Sequence, residues 1–253
     1  MAWDQVALRI PKKAGVLPKK TRRAPVVAVA PRVTLWRAAT DNDGFKMMPH
    51  LWPQFGRSLE RWLASGIATS DSDVVQSETR IQQLADGATR YEHRVVLTED
   101  LADAPRIGAT WEIPARFSSL RWYGRGPHEN YPDRKSSAMV GVYEGQPDEL
   151  PYLVPQEFGL RTECRWLECR DDNTGEVIRI EADGCLLHMS AVRYTPEALF
   201  EACDRTELRR HNKLVIHVDI AHRGLGTASC GPDTRSDYII SAGTYRFAYV
   251  VSS

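Results

Sequence analysis

From Val33 onward the hydrophobic and polar positions are punctuated as in an all-β domain. Short β-branched or aromatic runs recur at Arg90–Leu97, Ser119–Tyr123, Glu176–Ile180, Leu186–Val192, Lys213–Ile220, Tyr238–Ile240 and Thr244–Val251, often separated by Asp-Gly, Gly-Pro or Pro-Asp turn signals. The last run alternates. Tyr245, Phe247 and Tyr249 fall on one face, and Arg246, Ala248 and Val250 on the other, as in a half-buried antiparallel strand. Two short helices are expected between strands. Phe55–Ser65 collects Phe55, Leu59, Trp62 and Leu63 on one face, and Pro196–Cys203 opens with Thr195 as N-cap and Pro196 at the first helical position. Many strands with few helices predict a large sandwich.

Residues 1–30 follow another pattern. Ala2–Leu8 reads as a short strand, with Trp3, Val6 and Leu8 apolar. Then Lys12, Lys13, Lys19, Lys20, Arg22 and Arg23 are interleaved with Pro11, Pro18 and Pro25. Proline interrupts both helix and ladder, so this stretch is expected to be an extended linker. The expected division is therefore 1–30 and 31–253.

Composition narrows the function classes. The chain has 253 residues, with 33 Lys plus Arg against 33 Asp plus Glu. That balance provides no net field to concentrate nucleic acid or an anionic membrane, and the basic stretch reads as a solvated linker rather than a nucleic-acid arm. No apolar run approaches the ~20 residues of a membrane helix, and the start has no secretory pattern. A cytoplasmic protein is expected. The five cysteines fit no usual zinc spacing: Cys164-x4-Cys169 lacks a second pair at matching distance. Reduced thiols and no metal site are expected.

Three segments are rich enough in polar and rigid residues to carry chemistry. Asp41-Asn42-Asp43-Gly44 is a turn former whose side-chain oxygens could also meet a sugar or Ca²⁺, although it lacks the spacing of an EF-hand loop. Arg121–Arg134 contains Trp122, Tyr123, His128, Glu129 and Asn130, the mixture of flat apolar surface and polar groups that sugar sites use. The same residues could equally form a buried network that locks a loop. Ile216–Asp233 places His217 and Asp219 on one strand face with His222 nearby, and puts Cys230 in a loop. A metal site there is conceivable, and a satisfied core histidine is the commoner outcome.

Taken in order, these segments resemble the small-chain, C-terminal region (domain 5) of glycoside hydrolase family 2 β-galactosidases. The resemblance rests on Trp36–Asp43, on the run Tyr123–Arg134 that includes Gly-Pro-His-Glu-Asn-Tyr-Pro-Asp-Arg, on Pro155–Gly159, on Gly224–Thr227 and on Ser241–Tyr245. It spans about residues 33–251 and implies a large antiparallel supersandwich similar to galactose mutarotases. It also implies that the domain completes the rim of a galactoside pocket, with Asp41, Asn42, Asp43, Gly44 and Phe45 on a substrate-side loop. A C-terminal loop gives an aromatic residue to the pocket in some members. Cys230 falls near that point and no Trp is present, which removes the expectation of stacking from there.

The family's retaining hydrolysis needs two carboxylates about 5 Å apart. In the family these lie on a barrel, which takes about 250 residues by itself. The resemblance thus implies no catalytic residue in this chain and no activity of the chain alone. It implies a large subunit or missing N-terminal domains as partner, Mg and Na only in that barrel-bearing partner, and terminal β-D-galactosides such as lactose as substrates. Ala2–Leu8 resembles the last strand of a preceding immunoglobulin-like domain, and the stretch between Ser70 and Pro105 is shorter than the family's by about one hairpin, leaving an edge that could be exposed. Three alternatives remain at this level. One is a stand-alone carbohydrate-binding module using Trp122, Tyr123, His128 and Glu129. Another is a mutarotase-like enzyme with His128 or His217 as acid and Glu129 or Glu157 as base. The last is an inactive truncated remnant.

Overall fold

The computed structural model describes residues 29–44, 46, 58–68, 75–147, 152–225, 227 and 233–253. The expected strand Ala2–Leu8, the basic linker, Phe45 and Cys230 lie outside them. Among the described residues, twelve strands form two antiparallel sheets. They are β1 (Arg32–Thr34), β2 (Gln76–Gln83), β3 (Thr89–Leu97), β4 (Arg106–Pro114), β5 (Ser119–Gly126), β6 (Met139–Gly145), β7 (Arg161–Cys164), β8 (Trp166–Arg170), β9 (Val177–Asp183), β10 (Leu187–Val192), β11 (Lys213–His222) and β12 (Gly243–Ser252). The smaller sheet runs β1-β4-β11-β10-β7 and the larger β2-β3-β12-β9-β8-β5-β6. The architecture is an all-β sandwich.

The core lies between the sheets and follows from side-chain alternation. Tyr91, Val95 and Leu97 of β3, Ile178 and Ile180 of β9, and Phe247, Tyr249 and Val251 of β12 point inward from the larger sheet. Ile107, Ala109, Trp111 and Ile113 of β4 meet them, with Leu214, Ile216 and Val218 of β11. Trp111 stacks on Tyr249 with centroids 5.5 Å apart and planes 5° apart, a direct contact across the layers. A polar exception is His93. Its ring stacks against both Phe247 and Tyr249, with Nδ1 2.9 Å from Thr79 Oγ1 and Nε2 3.1 Å from Tyr249 Oη. Burial lowers its pKa to about 4, so it remains a neutral hydrogen-bonding bridge.

Among the described residues there are two α-helices, α1 (Ser58–Ala64) and α2 (Pro196–Glu201). Helix α1 falls inside the expected 55–65, and residues 55–57 lie outside the described part. Helix α2 starts as expected, with Thr195 Oγ1 accepting from the Ala198 N–H at 3.2 Å. It stops earlier than expected because Ala202 turns extended, at φ −68 and ψ 131.

Tyr238–Ile240 is not a strand. Ser236–Tyr238 is a 3₁₀ turn, Gly224 N–H donates to Tyr238 O, and Asp103 N–H donates to Ile240 O. Loop partners thus take the backbone groups that a ladder would use, overriding the β-propensity of the side chains. In the segment 70–105, β2 forms one edge of the larger sheet and is exposed at all eight of its positions. Among the described residues no helix is long and apolar enough to cross a membrane.

Candidate functional site

The quoted segments converge at one end of the sandwich, and Asp43 organises them. Its buried carboxylate accepts a two-pronged bond from Arg37, Nη1 to Oδ2 at 2.6 Å and Nη2 to Oδ1 at 2.9 Å. Thr40 adds its N–H at 2.8 Å and its hydroxyl at 2.9 Å, and Arg223 Nη1 approaches to 3.4 Å. Burial by itself would raise the Asp43 pKa. The charge and hydrogen bond of Arg37, then Arg223 and the Thr40 N–H, outweigh burial and hold it below the ordinary value. Gly44 follows at φ +148, a region that side chains avoid.

Arg223 is the second hub. It donates to Asp103 Oδ1 at 2.5 Å, to Asp233 Oδ1 at 2.6 Å and to Thr234 Oγ1 at 2.6 Å. Arg61, on α1, joins the same two aspartates, reaching Asp233 at 3.1 Å. The indole of Trp62 donates to Asp103 O at 2.6 Å and lies beneath the guanidinium groups of Arg37 and Arg223, 5.1 and 5.6 Å from the ring centroid. Three arginines thus face three aspartates on an aromatic floor. Asp233, held chiefly by Arg223 against the effect of burial, has its pKa lowered to about 2.

The turn Asp41–Gly44 is tied to the other segments. Asp41 N–H meets Gln156 Oε1 at 3.4 Å, and Asn42 Nδ2 donates to Leu225 O. Leu225 N–H in turn donates to Asp133 Oδ1 at 2.9 Å. A Cβ at Gly224 would collide with the Asp133 carboxylate, which accounts for glycine at that position. The Asp41 side chain is exposed and Asn42 is half-buried, so these two present polar atoms outward, whereas Asp43 does not.

Most of the Arg121–Arg134 candidates serve the fold. Trp122 is 1% exposed, with its N–H bonded to Arg125 O at 3.0 Å. Tyr123 points to the opposite sheet face at 36% exposure, and Arg165 lies over its ring at 4.9 Å. Neighbouring residues of one strand cannot share a stacking platform. Asn130 is fully used: its Oδ1 accepts from the Thr162 N–H and hydroxyl, and its Nδ2 donates to Arg125 O and His128 O. Glu129 accepts from Gly159 N–H at 2.7 Å, Arg134 at 2.6 Å and the Tyr152 hydroxyl. His128 is exposed, with Nε2 3.1 Å from Ser137 Oγ.

A second buried polar cluster contains Glu157, His217, Asp219 and His222, around an arginine that the sequence reading did not single out. Arg106 donates to Glu157 Oε1 at 3.1 Å and places Nε 3.3 Å from Asp219 Oδ2. Burial raises the Asp219 pKa to about 7 and also raises that of Glu157, in both cases against the pull of Arg106. Burial lowers His217 and His222 well below the ordinary value, with Arg106 acting in the same direction. His222 Nδ1 lies 2.8 Å from Arg223 O, an acceptor, so Nδ1 carries the proton and Nε2 faces Glu157 Oε1 at 3.8 Å with a lone pair. Gly108 has no side chain because the Asp219 carboxylate occupies that space. Among the described residues no group of three or more His, Cys, Asp or Glu is arranged to hold a metal ion. The four described cysteines are free.

A cavity of about 580 Å³ lies on the outer face of the smaller sheet, lined by residues that include Thr34, Thr110, Val215, His217 and Pro196. Apart from His217 it shares no lining residue with either ionic cluster.

Sequence reading missed Arg61, Asp103 and Arg106, which stand far along the chain from the segments they bind and belong to no motif. It also missed Lys46, which follows the turn closely enough to have been noticed.

Comparison with known proteins identifies the family. The family described as β-galactosidase small chain matches residues 3–251. The β-galactosidase of Vibrio cholerae serotype O1 is 32% identical over 232 residues, covering 80% of this chain and 22% of that protein. Those of Arthrobacter sp. strain B7 and Priestia megaterium are 29% and 31% identical, over 83% and 85% of this chain and 25% and 22% of their own length. The chain therefore spans a quarter or less of these relatives. Its matched residues and its all-β sandwich place it in the β-galactosidase small chain family.

Proposed function

We propose that the chain completes the galactoside pocket of a barrel-bearing partner, which is either a large subunit or the remaining domains of a longer polypeptide. The reaction served is retaining hydrolysis of terminal β-D-galactosides such as lactose. Asp41, Asn42 and Gly44 supply the rim, and the family resemblance adds Phe45 and Cys230 as substrate-side residues. The catalytic carboxylates and the Mg and Na ligands belong to the partner. The observation that carries this reading is the clasp around Asp43. Arg37, Thr40 and Arg223 fix the base of the turn, so that Asp41 and Asn42 are displayed outward in one conformation. Such preorganisation is what a rim contributes to substrate positioning. The free cysteines support a reducing, cytoplasmic setting.

The test is recovery of the tagged full chain from its host, followed by a chromogenic galactoside assay. Activity is expected in an eluate that contains a co-eluting barrel-bearing chain, and none from the pure chain. Hydrolysis by the pure chain, or a chain that elutes alone and inert, would overturn the reading.

A further inference from the structure

Lys46 follows the Asp41–Gly44 turn in sequence, and its ammonium sits in a cage of main-chain oxygens. Nζ lies 2.7 Å from Pro155 O, 2.8 Å from Leu199 O, 3.0 Å from Phe200 O and 2.7 Å from Ala202 O. Three of these carbonyls belong to the last turn and end of α2, where helical backbone runs out of intrahelical donors and partial negative charge accumulates. The fourth begins the Pro155–Gly159 segment. The Phe200 ring lies 5.9 Å from the same ammonium. A lysine ammonium has three protons, so four acceptors at these distances use its full donor capacity and share one proton between two of them.

We propose that Lys46 is a positioning residue of the rim, clamping the exit of the Asp41–Gly44 turn to α2 and to the Pro155–Gly159 segment. This rests on the pocket-completing role proposed above. Asp43 anchors the base of the turn from inside, and Lys46 anchors its exit from the outside. Between the two anchors, Asp41 is held by one long contact to Gln156 at 3.4 Å, and Asn42 by its bond to Leu225 O. Without the clamp, the outward-facing residues would keep only Asp43 and these two contacts. The cage suits a compact ammonium. A planar guanidinium cannot converge its donors on four carbonyls around one point, so arginine is a poor substitute.

The test uses Lys46→Met and Lys46→Arg in the full chain, with two readouts. In the first, amide hydrogen exchange across 37–44 is expected to quicken about tenfold or more in the methionine variant, as the loss of one charge-assisted bond implies, and by less in the arginine variant. Amides of β9 and β12 should be unchanged in both. In the second, the reassembled, barrel-containing complex is expected to show KM for a chromogenic galactoside raised about tenfold with kcat changed by less than about threefold. A merely structural defect would reduce the amount of active complex and leave KM alone.

Unchanged exchange in the turn overturns the clamp. Faster exchange with unchanged KM overturns the positioning role. If the wild-type complex hydrolyses nothing, the pocket-completing role falls and the positioning role falls with it. The exchange readout then still reports, independently, whether the cage holds the turn.

Discussion

The two buried ionic clusters use the same side-chain types and reach opposite electrostatic states. Around Asp43 and Arg223, three arginines meet three aspartates at short range, and the Asp43 and Asp233 carboxyls titrate below their ordinary values. Around Arg106, one guanidinium serves both Glu157 and Asp219, and both carboxyls are pushed upward. Asp43 and Asp219 are equally buried, at 0% side-chain exposure, so burial is not what separates these two. Charge count and hydrogen-bond supply are. A carboxylate given two or more good donors stays ionised and becomes a fixed strut. One that has to share a single cation in a dry site keeps a proton into the neutral range. The first cluster lies directly under the proposed rim, where rigidity is needed. The second underpins the smaller sheet and, through Glu157, the Pro155–Gly159 segment.

The contrast can be broken most forcefully at Asp43. Asp43→Ala strands Arg37 and takes a partner from Arg223. Removing one side of a buried pair costs about 3–5 kcal/mol, so the urea midpoint should fall accordingly. A change below ~1 kcal/mol would show that water enters the clasp, since exposed pairs are worth no more than that.

A smaller effect of opposite sign is expected at Asp219. Its folded pKa is about 7 against an ordinary 3.8. The folded chain therefore binds more protons than the unfolded chain between those values, and this group makes stability fall as pH rises through that window. Asp219→Asn should flatten that fall and raise Tm above pH 7, with little change near pH 4. A Tm difference independent of pH would refute the raised pKa of Asp219.

The least effect belongs to Arg61, whose side chain is 46% exposed at the margin of the first cluster. Arg61→Ala should cost ~1 kcal/mol or less. A larger loss would mean that Asp103 and Asp233 depend on it rather than on Arg223.

The sandwich was legible where a strand has one wet face. Thr244–Val251 alternates in sequence and lies in β12, with Phe247 and Tyr249 inward as expected. Strand β2 was invisible for the converse reason: Gln76–Gln83 is exposed on both faces, so no hydrophobic period exists to detect. Strand β4 hides behind Pro105 and Gly108, whose turn-like character reflects in one case the space taken by Asp219. At the site, motif reading found the right segments and could not apportion roles within them. Asp41 and Asp43 look alike in sequence. Arg37, six residues earlier in the same motif, and the distant Arg223 decide that Asp43 faces inward and Asp41 outward. Trp122 and Asn130 likewise had sugar-binding chemistry on paper, and the sheet and the Thr162 backbone claimed them.

The place of β12 in the larger sheet has a consequence for biosynthesis. It is the last of the seven strands in chain order, yet it lies between β3 and β9. Nascent chains fold as they emerge from the ribosome, N-terminal parts first. Until Gly243–Ser252 emerges, the hairpin β2–β3 has no sheet to join and β9 keeps an open edge. A message truncated or a ribosome stalled shortly before Gly243 would therefore release a product with two unpaired apolar edges rather than a slightly shortened domain. Such products are the natural prey of chaperones and proteases, so the accumulated protein should be almost entirely full length through β12.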